Sequence, residues 1–521
     1  MSDSMMNNLM INDLTTSDLK TSDSEKIIDR FPAGTVKIPP SKSLGHRALI
    51  CAALAGGEAA GANVDDPGDS EDIRATRVGI AQIAAVLAGG DAADFVDGEA
   101  VGFTGGEAAD EAEKIKSTKG TGSAEPAEER VIDCAESGST LRFLLPIAAA
   151  VGGDWLFAGR GRLPERPMEA YERLFPEHGV QMERGSEGIR ISGKLRAGTY
   201  ALSGDVSSQF VSGLLFALPL ARGDSTIVLT SPLESADYVA LTLEVLRAFG
   251  VQVYERGMRE IESLTDLRSP ASVWEVQGGI TGETLTANVL STYDLYEIPG
   301  GQNYRPTDYS VAGDWSQAAF FLCAGALGRS VSVSGLREDS AQGDRRVTEI
   351  LRRMGISVEW TQMEIATDEP QSHFRAISPD SGFHGTVIDA RDIPDIVPPL
   401  AALACFAQGE TRFEHAGRLR LKESDRLSAL ARELSGLGAD AWEEGDTLVV
   451  RGAGDGKSPY GAGLPGGKAD AHGDHRIAMA VAVAAIGCRG AVYLTGADSV
   501  RKSYPGFWQD FEKEEKEKVR K

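Results

Sequence analysis

The stretch PSKSLGHRALICAALAGG, residues 40–57, sets a layout that recurs five more times along the chain. A short polar turn leads into about a dozen small or apolar residues, then Gly or a charge, then a β-branched run. The other copies are ESGSTLRFLLPIAAAVGG from Glu136, VSSQFVSGLLFALPLARG from Val206, GDWSQAAFFLCAGALG from Gly313, IPDIVPPLAALACFAQG from Ile393 and GDHRIAMAVAVAAIG from Gly473. The bodies are apolar all round, as in helices buried on every side, while the polar entrances differ. Like bodies with unlike entrances predict one pseudo-symmetric scaffold whose helix N-termini converge on a ligand.

A second, amphipathic element follows most copies: RPMEAYERLFPEHGVQMER from Arg166, DYVALTLEVLRAFGVQVYER from Asp237, RRVTEILRRMGISVEW from Arg345 and DRLSALARELSGLGADAWEE from Asp425. Apolar positions at i, i+3, i+4 and i+7, closed by Gly and alternating residues, signal helix, C-cap and strand in turn. Each unit therefore reads βαβαββ. Units of roughly 70 to 100 residues are too long for a solenoid repeat, and 521 residues are long for one core. Two globular domains of three units each are expected. A Gly, Pro and polar cluster, GGQNYRPTDY at 300–309, marks the boundary. The first domain is expected over 43–309. The second takes 26–42 plus 310–521, because strands around Ile27 and Val36 pairing there would create two crossovers and a hinge. Residues 1–25 read as a disordered leader. About 89–129 reads as an acidic surface insertion with a short hairpin near Phe103.

Net charge is −24, from 77 acidic and 53 basic residues, which argues against nucleic acid as a partner. Screening over roughly 8 Å still lets a local basic pocket operate inside an acidic shell. The cysteines Cys51, Cys134, Cys323, Cys405 and Cys488 are scattered and read as reduced core thiols of a cytoplasmic protein. No apolar run is long enough to span a bilayer, and the leader has neither an apolar core nor an Arg-rich face for targeting.

Lys42, Ser43 and Arg47 stand at the first entrance, where helix N–H groups and two cations one turn apart can hold a phosphate or carboxylate. A serine cap with solvated basic neighbours fits those residues equally well. The Gly-rich pattern of a Walker loop is missing. Ser137, Gly138, Ser139 and Thr140, followed by Arg142, offer more hydroxyls than capping needs. Ser207, Ser208 and Gln209 suit a polyhydroxylated or phosphorylated ring, or form a capping cluster. Arg166 precedes a Pro that opens a helix, and Asp395 in DIPDIVPP starts an apolar helix, where Asp is a favoured cap. The densest charged run is RLRLKESDR, 418–426. Its spacing puts Lys422 or Glu423 beside Arg426 at a helix start, a grouping suited to coupled proton transfers. His475 and Arg476 in GDHR, and Lys502 in SVRKSYPGF, add late basic groups.

Taken in order, PSKS...R, SGST.R, ERPM, SSQF, the Tyr of SADY, IPD, LKESDR, DHR and RKSYP resemble the 5-enolpyruvylshikimate-3-phosphate synthase family, from about Ile27 to Phe511. The resemblance implies a two-domain inside-out α/β barrel of six βαβαββ units, three per domain. It implies a cleft at the hinge, no metal or organic cofactor, and a monomer. It implies that shikimate 3-phosphate is held by Lys42, Ser43, Arg47, Ser207, Ser208, Gln209, Ser235, Tyr238, Asp395 and Lys422. Phosphoenolpyruvate falls to Lys42, Gly138, Arg166, Gln209, Arg426, Arg476 and Lys502, with His475 in support. The implied reaction moves the enolpyruvyl group to the ring 5-hydroxyl through a tetrahedral intermediate and releases phosphate. Its catalytic set is Lys42, Asp395, Lys422 and Glu423, with Glu423 on the methylene proton and Asp395 or Lys422 near the hydroxyl.

Two positions depart from many members, which carry Asn where this chain has Arg418 and Glu136. The UDP-N-acetylglucosamine enolpyruvyl transferases share the fold, but they place a reactive Cys in a Gly-rich loop, and no cysteine here lies in one. The RNA 3'-phosphate cyclase group calls for a nucleophilic His and sits poorly with the acidic charge. A noncatalytic anion-binding scaffold is the remaining alternative, against which the intact charged set argues.

Overall fold

A computed structural model describes residues 25–89, 130–256, 294–363, 371–455 and 463–513. Apart from Glu25 and Gly89, the expected leader and the acidic insertion with its hairpin lie outside the described residues.

The six recurring stretches form the core helices Lys42–Leu54, Gly138–Val151, Ser208–Ala217, Trp315–Ala326, Val397–Ala404 and His475–Ala485. Every residue of Trp315–Ala326 and of His475–Ala485 is buried, so packing rather than propensity stabilises them. Helices thus lie inside and sheets outside. The strands Arg130–Asp133, Trp155–Ala158, Gly188–Gly193 and Val180–Gly185 form one sheet in that order, a parallel pair followed by two antiparallel neighbours. The same order recurs around the third and fifth core helices. A parallel pair needs a crossover, and in each of these sheets the core helix supplies it.

The remaining units draw a strand from a distant part of the sequence, as expected for the strands around Ile27 and Val36. Gly34–Lys37 pairs parallel with Val331–Ser334, Lys26–Ile28 pairs antiparallel with Val492–Thr495, and Asp308–Ser310 pairs parallel with Asn63–Asp65. The buried apolar side chains accordingly form two clusters. One contains Leu44, Phe143, Tyr296 and Val311; the other contains Ile28, Val36, Trp315 and Phe511.

The chain passes between the two cores twice, and the passages are tied together. Pro40 and Gly313 form an antiparallel bridge, Ser41 N donates to the Ala312 carbonyl at 2.8 Å, and Asp314 N donates to the Pro39 carbonyl at 2.9 Å. The Gly-Pro cluster itself stays on the first core, where Gly301 N donates to the Ala221 carbonyl and the Tyr304 hydroxyl to the Phe216 carbonyl. The passage follows a few residues later and lies directly beneath Lys42.

Close helix packing positions the entrances. A Cβ at Gly213 would run into the Arg142 carbonyl and the Tyr171 hydroxyl, so glycine lets the third core helix press against the second. That contact sets Gln209 beside Arg142. All five cysteines are unpaired, four of them buried. Among the described residues no helix is long and apolar enough to cross a membrane.

Candidate active site

Residues at the start of five of the six core helices, where the N-termini carry partial positive charge, line one cleft between the two cores. All of the core helices except Val397–Ala404 are capped by the side chain just before the first helical residue. Ser41 Oγ accepts from Leu44 N, Ser137 Oγ from Thr140 N, Ser207 Oγ from Gln209 N, and the Asp474 carboxylate from Arg476 N. The capping reading therefore accounts for Ser207 but not for Ser43 or Ser208, which line the cleft with hydroxyls that bond no described residue.

Lys42, Ser43, Arg47, Gly138, Arg166, Ser207, Ser208 and Gln209 line one wall. Ser235 and Tyr238 also line it, and Asp395, Lys422, Glu423, Arg426, His475 and Arg476 form the facing wall. Lys502 stands at the rim instead, its Nζ 2.6 Å from Glu136 Oε2 and 2.8 Å from the Gly473 carbonyl. Eight basic side chains line the cleft against three carboxylates, in a chain whose net charge is −24. These cations are buried or half-buried rather than solvated, and they give the cleft a local excess of positive charge.

Two buried arginines have no carboxylate partner among the described residues. Arg47 donates from Nε to Thr242 Oγ1 at 2.8 Å, and from its two Nη atoms to the Ser43 and Tyr238 carbonyls at 2.7 and 2.8 Å. Arg142 donates to Gln209 Oε1 and to the Pro167 carbonyl, both at 2.8 Å. Burial pushes each guanidinium down to about 10, so both stay charged at neutral pH. A buried cation held only by neutral oxygens is costly unless an anion joins it.

The carboxylates gather on Arg426, which is 1% exposed. Its Nε lies 2.7 Å from Asp474 Oδ2, Nη1 lies 2.9 Å from Asp395 Oδ1, and Nη2 lies 2.5 Å from Glu423 Oε2. Arg166 reaches Glu423 from the opposite wall at 3.4 Å, while Lys422 and Arg476 approach Asp395 at 3.6 and 3.3 Å. Burial works to raise both carboxyls. Arg476, Lys422 and Arg426 outweigh it at Asp395, and Arg426 and Arg166 outweigh it at Glu423, holding each well below its ordinary range. Burial pushes Lys422 down to about 8, and His475 well below its ordinary value, leaving a neutral ring whose nitrogens make no hydrogen bond among the described residues, with Nδ1 3.8 Å from Asp474 Oδ1.

Two local expectations change. Asp395 is not a helix cap, since the helix starts at Val397 without a side-chain cap and the carboxylate turns to Arg426. Lys422 and Glu423 precede the helix rather than begin it, because Arg426–Gly436 is capped by Asp425. Some participants escaped sequence reasoning. Asp314, at the fourth entrance, accepts the Lys42 amide at 3.0 Å, and Ser316 two residues on accepts from Arg476 at 3.0 Å. Asp72 pairs with Lys42 Nζ at 2.8 Å. Arg418, already singled out as a departure from many members, lines the cleft and donates to Ser235 Oγ at 2.7 Å.

Two three-unit halves joined by a double passage, closing over clustered cations and carboxylates, define the two-domain enolpyruvyl transferase fold. Residues 32–281 and 283–511 match the family described as EPSP synthase (3-phosphoshikimate 1-carboxyvinyltransferase), and the chain belongs to that family. The 3-phosphoshikimate 1-carboxyvinyltransferase of Clostridium kluyveri is 38% identical over 480 residues, covering 92% of this chain and 94% of its own. That of Clostridium perfringens is 38% identical, covering 92% and 95%. Among solved structures, EPSP synthase from Acinetobacter baumannii shares the fold with a TM-score of 0.63 at 22% identity, covering 93% of this chain and 96% of that one. The enolpyruvyl transferase NikO from Streptomyces tendae has a TM-score of 0.59 at 17% identity, covering 94% and 96%.

Proposed function

We propose that this cleft transfers the enolpyruvyl group of phosphoenolpyruvate to the 5-hydroxyl of shikimate 3-phosphate, with acid and base placed on either side of Arg426. The observation that carries this reading is the simultaneous grip of one buried guanidinium on Glu423 and Asp395. Phosphoenolpyruvate brings a phosphate and a carboxylate, and Arg166, Arg426, Arg476, Lys42 and Lys502 receive them, with Gly138 and Gln209 alongside. The acceptor's phosphate, carboxylate and hydroxyls fall to Ser43, Arg47, Ser207, Ser208, Gln209, Ser235, Tyr238, Lys422 and Lys42.

Substrate anions compete with the carboxylates for the same cations. Once phosphoenolpyruvate engages Arg166 and Arg426, Glu423 loses what holds it deprotonated, and burial alone then raises its proton affinity. The methylene carbon takes a proton from Glu423, and the adjacent carbon becomes electrophilic. The 5-oxygen attacks it while Asp395 takes the hydroxyl proton, with Lys422 beside it. The resulting ketal phosphate breaks its carbon–oxygen bond to phosphate. Glu423 regains a methyl proton, and the proton on Asp395 leaves with phosphate, so both groups return to their starting state. The groups named here call for no second copy of the chain, and we propose a monomer in a cytoplasmic setting.

Phosphate release from phosphoenolpyruvate, run separately with shikimate 3-phosphate and with UDP-N-acetylglucosamine, tests the reading. Release is expected with the first acceptor only, and none with the first would overturn it. The site also predicts a binding defect. A Cβ at Gly138 would collide with the Arg166 guanidinium, the movable end of a flexible side chain, so Gly138→Ala should fold normally. Steady-state kinetics should show KM for phosphoenolpyruvate raised roughly tenfold, the loss of about one charge-assisted hydrogen bond, with KM for the acceptor little changed.

A further inference from the structure

We propose that Asp344 is a positioning residue for the base Asp395, acting through the Tyr238 hydroxyl to fix the direction of the hydrogen bond that Asp395 receives. The proposal rests on the assignment of Asp395 under the proposed function. Tyr238 Oη lies 3.3 Å from Asp344 Oδ2 and 3.1 Å from Asp395 Oδ2. A phenol has one proton and can donate to only one of them. With both carboxyls ionised, the other would face a phenol lone pair in a dry setting. Burial first, and then both carboxyls, hold the Tyr238 phenol well above its ordinary range, so it does not ionise to relieve the conflict.

The conflict disappears if Asp344 carries a proton. It donates to Tyr238 Oη, and Tyr238 donates to Asp395. Two observations favour that state. Asp344 is buried and its Oδ1 has no partner among the described residues, which a neutral carboxyl tolerates far better than a carboxylate does. The charged groups around it are Asp395 and Asp314, opposed by Arg476 and Lys422, and with burial as the largest cause they push Asp344 up to about 8. Asp395, a few ångströms away, is held low by its cations. One Tyr hydroxyl therefore joins a neutral acid to an ionised base.

The arrangement spans the cleft. Asp344 sits in the short turn Gly343–Arg346 on the second core's side, and Tyr238 in the helix Ala236–Ala248 on the first. Gly343 permits the approach, since a Cβ there would collide with the Asp237 carboxylate, which itself pairs with Arg346. Ionising Asp344 would turn the phenol proton toward itself and away from Asp395.

The full-length enzyme provides the test. Asp344→Asn keeps a donor toward Tyr238 at every pH, whereas Asp344→Leu removes it. In the wild type, kcat should fall at alkaline pH with two titrating groups, Asp344 and Lys422. Asp344→Asn should keep near-wild-type turnover at neutral pH and show a shallower limb from one group. Asp344→Leu should lower kcat on the order of tenfold, the loss of one hydrogen bond to a charged group, with KM for phosphoenolpyruvate unchanged. Infrared difference spectra, which need no substrate, should show a protonated-carboxyl band that fades as pH rises and is absent in Asp344→Asn. A pH profile for Asp344→Asn that superimposes on wild type, or a band indifferent to the substitution, overturns the proposal. If instead the band titrates as expected but Asp395→Asn turns over normally, the base assignment falls and the proposal with it.

Discussion

Glu423→Gln is expected to lower kcat by about 10²–10⁴, the usual contribution of a positioned acid or base, while leaving the protein folded. The amide keeps the shape of the side chain and can still accept from Arg426 and Arg166, so the walls of the cleft stay together. It cannot deliver a proton to the methylene carbon or take one back from the methyl group, and the reaction asks for both. KM for either substrate should change far less than kcat, because the interaction lost belongs to the transition state. Steady-state kinetics with a thermal melt decides the matter. Near-normal turnover in a folded Glu423→Gln protein would remove Glu423 from the chemistry.

Arg426→Met should produce the largest loss of stability of any single change in the cleft. It leaves Asp474, Asp395 and Glu423 buried without the cation they share, and breaking such a group costs about 3–5 kcal/mol. Asp474 suffers most. Burial works to raise its carboxyl, and Arg426 is the main cation holding it low. The pH dependence has a definite sign. In the wild type these carboxyls are depressed, so the stability they contribute is present above the ordinary carboxylate range and lost as pH falls through the depressed values. In the variant, burial prevails at Asp474, and stability should instead fall as pH rises from 5 to 7. Denaturant unfolding at both pH values reads this directly, and a variant as stable at pH 7 as the wild type would contradict it. Arg426→Lys should fold better, yet a single ammonium cannot reach three carboxylates, so turnover should drop a hundredfold or more, at about 1.5–3 kcal/mol per charge-assisted bond lost.

The six core helices were legible because a helix buried on every side has no polar face, and apolar runs such as WSQAAFFLCAGA have no other reading. The entrance residues were legible because a repeated body makes a changing mouth conspicuous. Strand partnership was only partly so. The pairing of Gly34–Lys37 with Val331–Ser334 joins segments nearly three hundred residues apart, and no local pattern specifies it, although the position of these strands before the first entrance hinted at a crossing. Single acidic residues were the least legible. Asp344 in SAQGDRR looks like a solvated turn, yet it is buried and meets Tyr238 from the other core. Asp314 reads as an ordinary cap, which it is, and its second oxygen acquires a task only where Lys42 crosses the hinge. The family resemblance marked Asp395, while its local sequence suggested only a helix cap; its partners come from elements around residues 426 and 476 rather than from its own helix.

The central claim is that the cleft protonates phosphoenolpyruvate, so that a methyl group exists transiently before phosphate leaves. Turnover in D₂O followed by mass spectrometry of the product's vinyl group tests it most directly. Glu423 equilibrated with solvent would deliver deuterium, and removal of either of the two original hydrogens of the methyl group, rather than the deuterium itself, would leave deuterium in the product. The account predicts a deuterium-enriched vinyl group, formed at a rate that collapses in Glu423→Gln. A product that forms at full rate in D₂O without vinyl deuterium would contradict it.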